Sequence, residues 1–242
     1  MKTAFNDLRK DAVRRALARF GIRLQKAAYL PFSYNRHNYP LPKQAIKTVI
    51  FDVGANIGQS AAWYAEEFPE AEIHSFEPFE CVHDMLIKTS RDNPRIIPHK
   101  IALGDSTKRI EVACVRDPFC QTGSIATDES ETDTEWIEID TVDEVASRLD
   151  IQNIHILKTD TEGHDLEVLA GANQMLKHGR IASILSEATI LSDDCEHTQL
   201  EALQAFLRPH DLILHGIYDL HHSPEDGQLS YFNALFVRKR SS

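Results

Sequence analysis

Residues 52 to 58 read Asp-Val-Gly-Ala-Asn-Ile-Gly, directly after the apolar run Val49, Ile50, Phe51 and directly before an amphipathic helical pattern. A glycine-rich turn from a strand into a helix is where a doubly wound sheet holds a nucleotide-like ligand. Gly54 and Gly58 would let the backbone turn tightly and approach that ligand. Glu77 stands 25 positions after Asp52, where the next strand should end, and an acid there can bind both hydroxyls of a ribose. The turn lacks the spacing of the dinucleotide fingerprint, so taken alone it is equally compatible with a structural role. Further on, Asp160, Glu162 and His164 follow one apolar run and Glu187 ends another. Carboxylates and an imidazole of this kind can move a proton or hold a hard metal ion.

Short apolar runs alternating with helical patterns supply the scaffold for these residues. Strands are expected near residues 47 to 52, 72 to 76, 95 to 101, 153 to 159, 181 to 187, 211 to 217 and 231 to 238. Helices should fill roughly 58 to 68, 79 to 91, 141 to 149, 163 to 178 and 196 to 208. Residues 219 to 230 show no helical pattern, so the last strand is expected to return antiparallel beside its predecessor, with Tyr218, Asp219, His221 and His222 in the connecting loop. Residues 109 to 115 and 135 to 139 suggest a hairpin around an acidic, Ser/Thr-rich loop from 116 to 134.

Several further segments continue the pattern in order: Phe76-Glu77-Pro78, Ile101-Ala102-Leu103-Gly104-Asp105, Leu157-Lys158-Thr159-Asp160-Thr161-Glu162-Gly163-His164, Asp165-Leu166-Glu167-Val168-Leu169-Ala170-Gly171-Ala172, and Asn233-Ala234-Leu235-Phe236. Together with the turn at Asp52, this set resembles the FkbM family of S-adenosylmethionine-dependent methyltransferases. The resemblance implies an α/β fold of class I methyltransferase type, a doubly wound seven-stranded sheet with an antiparallel last strand, preceded here by an N-terminal amphipathic helix. It also implies S-adenosylmethionine as cofactor. On that reading Asp52, Gly54, Asn56 and Gly58 meet the methionine end, Glu77 the ribose diol, and Asp105 the adenine.

Acceptor chemistry should then lie outside the carboxyl ends of the fourth and fifth strands. Methyl transfer to a hydroxyl needs an oxygen held in line and its proton removed, which makes Asp160, His164 and Glu187 the catalytic candidates. His164 is favoured as a base by its residue type, whereas Asp160 sits at the strand end itself. Asp160, Glu162 and Glu187 are also the candidate ligands for a divalent cation, magnesium or manganese, although a complete ligand set is not legible. The expected reaction is transfer of a methyl group from S-adenosylmethionine to a hydroxyl of a small molecule or saccharide. The alternatives are a nucleic-acid or N-methyltransferase, and a non-catalytic or nicotinamide-binding protein on a Rossmann-like scaffold. The Asn/Asp-Pro-Pro-aromatic run of amino-methylating enzymes is absent after the fourth strand, where Asp160-Thr161-Glu162-Gly163 stands.

Composition agrees with these bounds. A chain of 242 residues, 42% of them hydrophobic, can bury one full core. Its net charge is −11, yet residues 1 to 45 hold ten Lys or Arg against Asp7 and Asp11, so the remainder is more acidic still. An acidic body repels a phosphate backbone, and no nucleic-acid partner is expected. The four cysteines show neither zinc-ligand spacing nor the density of a disulfide scaffold, and no apolar stretch approaches a membrane span, so a cytoplasmic location is expected. Residues 1 to 45 read as a basic helical extension with a proline-rich linker, and 46 to 242 as the methyltransferase domain. The helix, over about residues 6 to 28, could pack on that domain, lie on an anionic membrane or support a homodimer.

Overall fold

The computed structural model describes residues 36–39, 47–114 and 133–239. Its centre is Thr48–Val53 (β1), apolar except at Thr48 and Asp52 and buried at every position, as a strand covered on both faces must be. Ala71–Phe76 (β2) and Ile154–Thr159 (β7) pair with it in parallel on either side. Ile96–His99 (β3) extends the sheet beyond β2, and Ile181–Thr189 (β8) extends it beyond β7. Leu229–Arg238 (β11) then pairs antiparallel with β8, and Leu212–His222 (β10) closes that edge antiparallel to β11. The resulting order, β3-β2-β1-β7-β8-β11-β10, is the doubly wound arrangement with an antiparallel end expected from the sequence. A two-residue strand, Thr198–Gln199 (β9), pairs with the end of β8.

Helices Gln59–Glu67 (α1), Glu80–Ser90 (α2), Val142–Arg148 (α3), Asp165–Ala170 (α4), Asn173–Lys177 (α5) and Leu200–Leu207 (α6) connect these strands. The start of α3 carries a capping sequence, with the Glu144 N–H donating to the Thr141 hydroxyl at 3.1 Å. The main core joins Phe51, Val53, Leu157 and Ile184 of the sheet to Val145, Leu169, Leu176 and Leu203 of the helices. A second, three-stranded sheet of Ala102–Leu103 (β4), Lys108–Cys114 (β5) and Asp133–Asp140 (β6) contains the expected hairpin as the β5–β6 pair, while residues 115–132 of its loop lie outside the described residues.

Three sequence expectations change. The single helix over 163 to 178 is two helices, because a Cβ on Gly171 would stand 2.0 Å from the Gly104 carbonyl oxygen and the chain turns at that close approach. The second segment restarts with its Gln174 and Met175 N–H groups donating to the Asp143 carboxylate at 2.7 and 3.0 Å, which satisfies two donors of its first turn. The helix over 196 to 208 begins only at Leu200, since residues 198 and 199 are taken by the sheet. The loop expected over 219 to 230 is shorter: β10 runs to His222 and β11 starts at Leu229, leaving residues 223–228 as the turn.

Of the N-terminal extension, only Arg36–Tyr39 lies within the described residues, and the basic helix lies outside them. The Arg36 guanidinium pairs with Glu70 at 2.6 and 3.0 Å, and Tyr39, 4% exposed, packs edge-on against Phe68 at 5.8 Å. Among the described residues, no helix is long and apolar enough to cross a membrane.

Candidate active site

Backbone geometry builds the first part of the site. Gly54, Asn56 and Gly58 all have positive φ, at 74°, 49° and 94°. A Cβ on Gly54 would stand 1.8 Å from the Asp160 carbonyl oxygen, so the ends of β1 and β7 touch backbone to backbone. The Gly54 and Ala55 N–H groups donate to the Phe76 carbonyl at 3.1 and 3.0 Å, which fastens the turn to the end of β2. Glu77 follows there, 6% exposed, and each of its oxygens accepts one backbone N–H: Oε2 from Asn56 at 3.2 Å and Oε1 from Phe79 at 3.1 Å. Burial pushes its pKa up to about 7 despite those two donors, and the nearby charge of Glu162 acts in the same direction.

Behind the turn lies a buried charge cluster. Asp52 is fully buried and accepts from the Ser60 hydroxyl at 2.6 Å. Lys158, 3% exposed, places its Nζ 3.0 Å from Asp160 Oδ2, 3.4 Å from Asp52 Oδ1 and 3.4 Å from the Gly54 carbonyl oxygen. One ammonium therefore holds the carboxylates at the ends of two adjacent strands. Burial raises the pKa of Asp52 more than Lys158 and Ser60 lower it. At Asp160 burial acts upward too, but the charge and hydrogen bond of Lys158 outweigh it and the pKa falls.

From Asp160 the cluster continues to Glu187 on β8, whose carboxyl lies beside it. Burial raises the Glu187 pKa, the Asp160 charge adding to that effect and His197 opposing it. The His197 ring lies between two acids, its Nε2 3.4 Å from Glu187 Oε2 and its Nδ1 2.9 Å from Asp194 Oδ2. Burial would lower the His197 pKa, but its bonds to these acids raise it to about 9, so the ring is a cation at neutral pH. It stacks on Tyr231 at 4.3 Å, and Tyr231 in turn stacks on His221 at 4.3 Å.

Asp52, Gly54, Asn56, Glu77, Asp160 and Glu187 are thus drawn together by the sheet. Two sequence candidates lie elsewhere. His164 precedes α4 with its side chain 60% exposed and its Nδ1 3.9 Å from Glu167, a surface position rather than one in the buried cluster. Asp105 is on the exposed turn before β5, accepting from Ser106 at 2.8 Å and Lys108 at 3.1 Å. Glu162, at φ 49° next to Gly163, is exposed as a residue, while partial desolvation of its carboxyl and the charge of Asp160 raise its pKa. Among the described residues, no three His, Cys, Asp or Glu side chains form a set able to hold a metal ion. The candidate ligands face cations of the protein instead, Asp160 facing Lys158 and Glu187 facing His197, so this donor set does not fit a divalent ion.

Residues 52–208 match the Methyltransferase FkbM domain. The chain belongs to the FkbM methyltransferase family. A hexuronic acid methyltransferase, AglP of Haloferax volcanii, is 30% identical over 132 residues, covering 53% of this chain and 52% of that protein. The crystal structure of an FkbM methyltransferase from Methylobacillus flagellatus KT superposes with a TM-score of 0.54 at 21% identity, over 86% of this chain and 48% of that one. TrmK of M. capricolum, solved with S-adenosylhomocysteine, superposes at 0.51 with 10% identity, over 88% of this chain and 70% of that one. The chain thus spans about half the length of the Haloferax volcanii and Methylobacillus flagellatus relatives. The structural likenesses, both below 25% identity, support the fold alone.

Sequence reasoning missed Lys158 and His197 as site residues. Lys158 does leave a signal, a lysine directly after Ile156-Leu157 within a strand expected to be buried, where a charge needs a buried partner. His197 leaves none, because it reaches Glu187 only through the return of residues 190 to 197 onto the sheet edge.

Proposed function

We propose that this protein transfers a methyl group from S-adenosylmethionine to a hydroxyl of a saccharide or related small molecule. The carrying observation is Glu77: each carboxylate oxygen is fixed by one backbone N–H at the end of β2, which leaves a lone pair on each for a vicinal ribose diol. Asp52 and the turn at Gly54 and Asn56 suit the methionine end, where an ammonium and a sulfonium favour acidic surroundings. S-adenosylmethionine, when bound, supplies an electrophilic methyl group activated by its sulfonium.

Asp160 is the residue to take the acceptor proton, because Lys158 keeps it ionised and fixes its direction. Glu187 orients the acceptor hydroxyl beside it. The name of the Haloferax volcanii relative supports a saccharide as acceptor. Titration calorimetry with S-adenosylmethionine, S-adenosylhomocysteine and NAD tests the cofactor assignment. The first two should bind and NAD should not, and Glu77→Ala should weaken binding by about 1–3 kcal/mol, the cost of losing charge-assisted hydrogen bonds. NAD binding, or an unchanged affinity in the variant, would overturn the assignment.

A further inference from the structure

Beyond Glu187 the sheet presents a continuous polar surface that the cofactor reading leaves unused. Residues directly opposite one another on neighbouring strands point to the same face, and every second residue does likewise. Glu187 pairs with Asn233 and Asn233 with Tyr218, while two positions along, Thr189 pairs with Tyr231 and Tyr231 with His221. Between these rows β11 advances two residues, from 233 to 231, but β10 advances three, from 218 to 221. The extra step is a bulge at which Asp219 takes φ 49°. Without it His221 would fall on the opposite face; with it, His221 stacks on Tyr231 and Asp219 Oδ2 accepts from Asn233 Nδ2 at 3.4 Å.

Two rows of side chains therefore share one face next to Asp160. They comprise two carboxyls, an amide, the buried Thr189 hydroxyl and three rings. Carboxylates accept and do not donate, which suits a partner that offers several hydroxyl protons, and the apolar surface of aromatic rings suits its C–H groups. Both cations of the cluster are already committed, Lys158 between Asp52 and Asp160, and His197 between Glu187 and Asp194. An acceptor carrying its own carboxylate would meet like charge here.

Resting on the proposed methyl transfer, we infer that the face formed by Glu187, Asn233, Tyr218, Asp219, Tyr231 and His221 is the acceptor subsite, and that it takes an uncharged, hydroxyl-rich sugar ring in preference to a uronic acid. In this it differs from the substrate class that names the relative from Haloferax volcanii.

Saturation-transfer NMR with full-length protein saturated by S-adenosylhomocysteine tests the preference. The probes are the methyl glycosides of glucose, galactose and mannose, set against those of glucuronic and galacturonic acid. At least one neutral glycoside should bind, and tenfold or more tightly than its uronate counterpart. Asp219→Asn, which keeps a residue tolerant of positive φ, should narrow that gap. His221→Ala should weaken neutral-sugar binding without altering S-adenosylhomocysteine affinity. Equal or tighter uronate binding, or no transfer to any glycoside, would overturn the inference. Failure of S-adenosylhomocysteine itself to bind would remove the cofactor reading on which it stands, and the same titration shows this separately.

Discussion

Replacing Lys158 with Met removes the one ammonium between Asp52 and Asp160 while retaining most of its packing volume. At 3.0 and 3.4 Å each ion pair is worth about 5 kcal/mol of gross Coulomb energy at an effective dielectric near 20. The lysine's own desolvation offsets much of that, and Asp160, 39% exposed on its side chain, is screened, so the Asp52 contact dominates. What remains is the cost of an uncompensated buried carboxylate, about 3–5 kcal/mol. For a domain of this size that is a fall in Tm of roughly 6–20 °C. The loss should depend on pH with a definite sign. Without Lys158 the folded-state pKa of both acids rises above the unfolded value, so the variant binds protons on folding and loses stability as pH rises. The measurement is thermal unfolding of wild type, Lys158→Met and Lys158→Met/Asp160→Asn between pH 5 and 8. The single variant should be most impaired at pH 8 and least at pH 5, and the double variant should recover part of the loss. A penalty below about 1 kcal/mol, or one independent of pH, would refute the view that Lys158 is the buried counter-ion of this site.

A methyl group at Gly54 meets the Asp160 carbonyl at 1.8 Å in a backbone with φ 74°, so Gly54→Ala should force β1 and β7 apart, lower Tm and abolish S-adenosylhomocysteine binding by calorimetry; retained affinity would contradict the contact. Burial raises Glu77 to about 7, so stability it contributes below its ordinary pKa is lost as pH climbs through 7. Ligand hydroxyls favour its ionised form, so cofactor affinity should rise from pH 6 to 8 with net proton release, read from calorimetry in buffers of different ionisation enthalpy, and Glu77→Gln should flatten both trends. Asp160→Asn should cut turnover on the true acceptor by about 100-fold or more. EDTA should leave turnover intact, because the neighbouring acids face Lys158 and His197; loss of activity with EDTA and its return with magnesium would reverse that reading.

Local pattern made the frame of this fold legible. The apolar runs within β1, β7 and β8 are buried on both faces, and such strands announce themselves by hydrophobicity. Glycines also spoke clearly, since Gly54 and Gly58 stand where only positive φ lets the chain turn. Errors arose where pairing overrode local preference. Residues 219 to 222 carry loop-like composition, yet each gains a strand partner or a place in the bulge from β11, a contact that no nearby residue encodes. Thr198 and Gln199 continue a helical pattern but complete the edge of β8 instead.

The same distinction separates the two halves of the site. Cofactor-side residues lie within a turn or at the end of a strand, so their chemistry follows from spacing: Glu77 meets Asn56 and Phe79 because β1 and β2 are parallel neighbours in register. The residues proposed for the acceptor side come from β8, β10, β11 and the segment carrying His197, and only their register determines who faces whom. A one-residue change in the β10 bulge would return His221 to the far side and leave Tyr231 without its second stacking partner, with no change in the Glu77 turn. Acceptor choice can therefore shift through register while the cofactor end stays constant. That separation explains why the motifs of a family name its reaction more readily than its substrate.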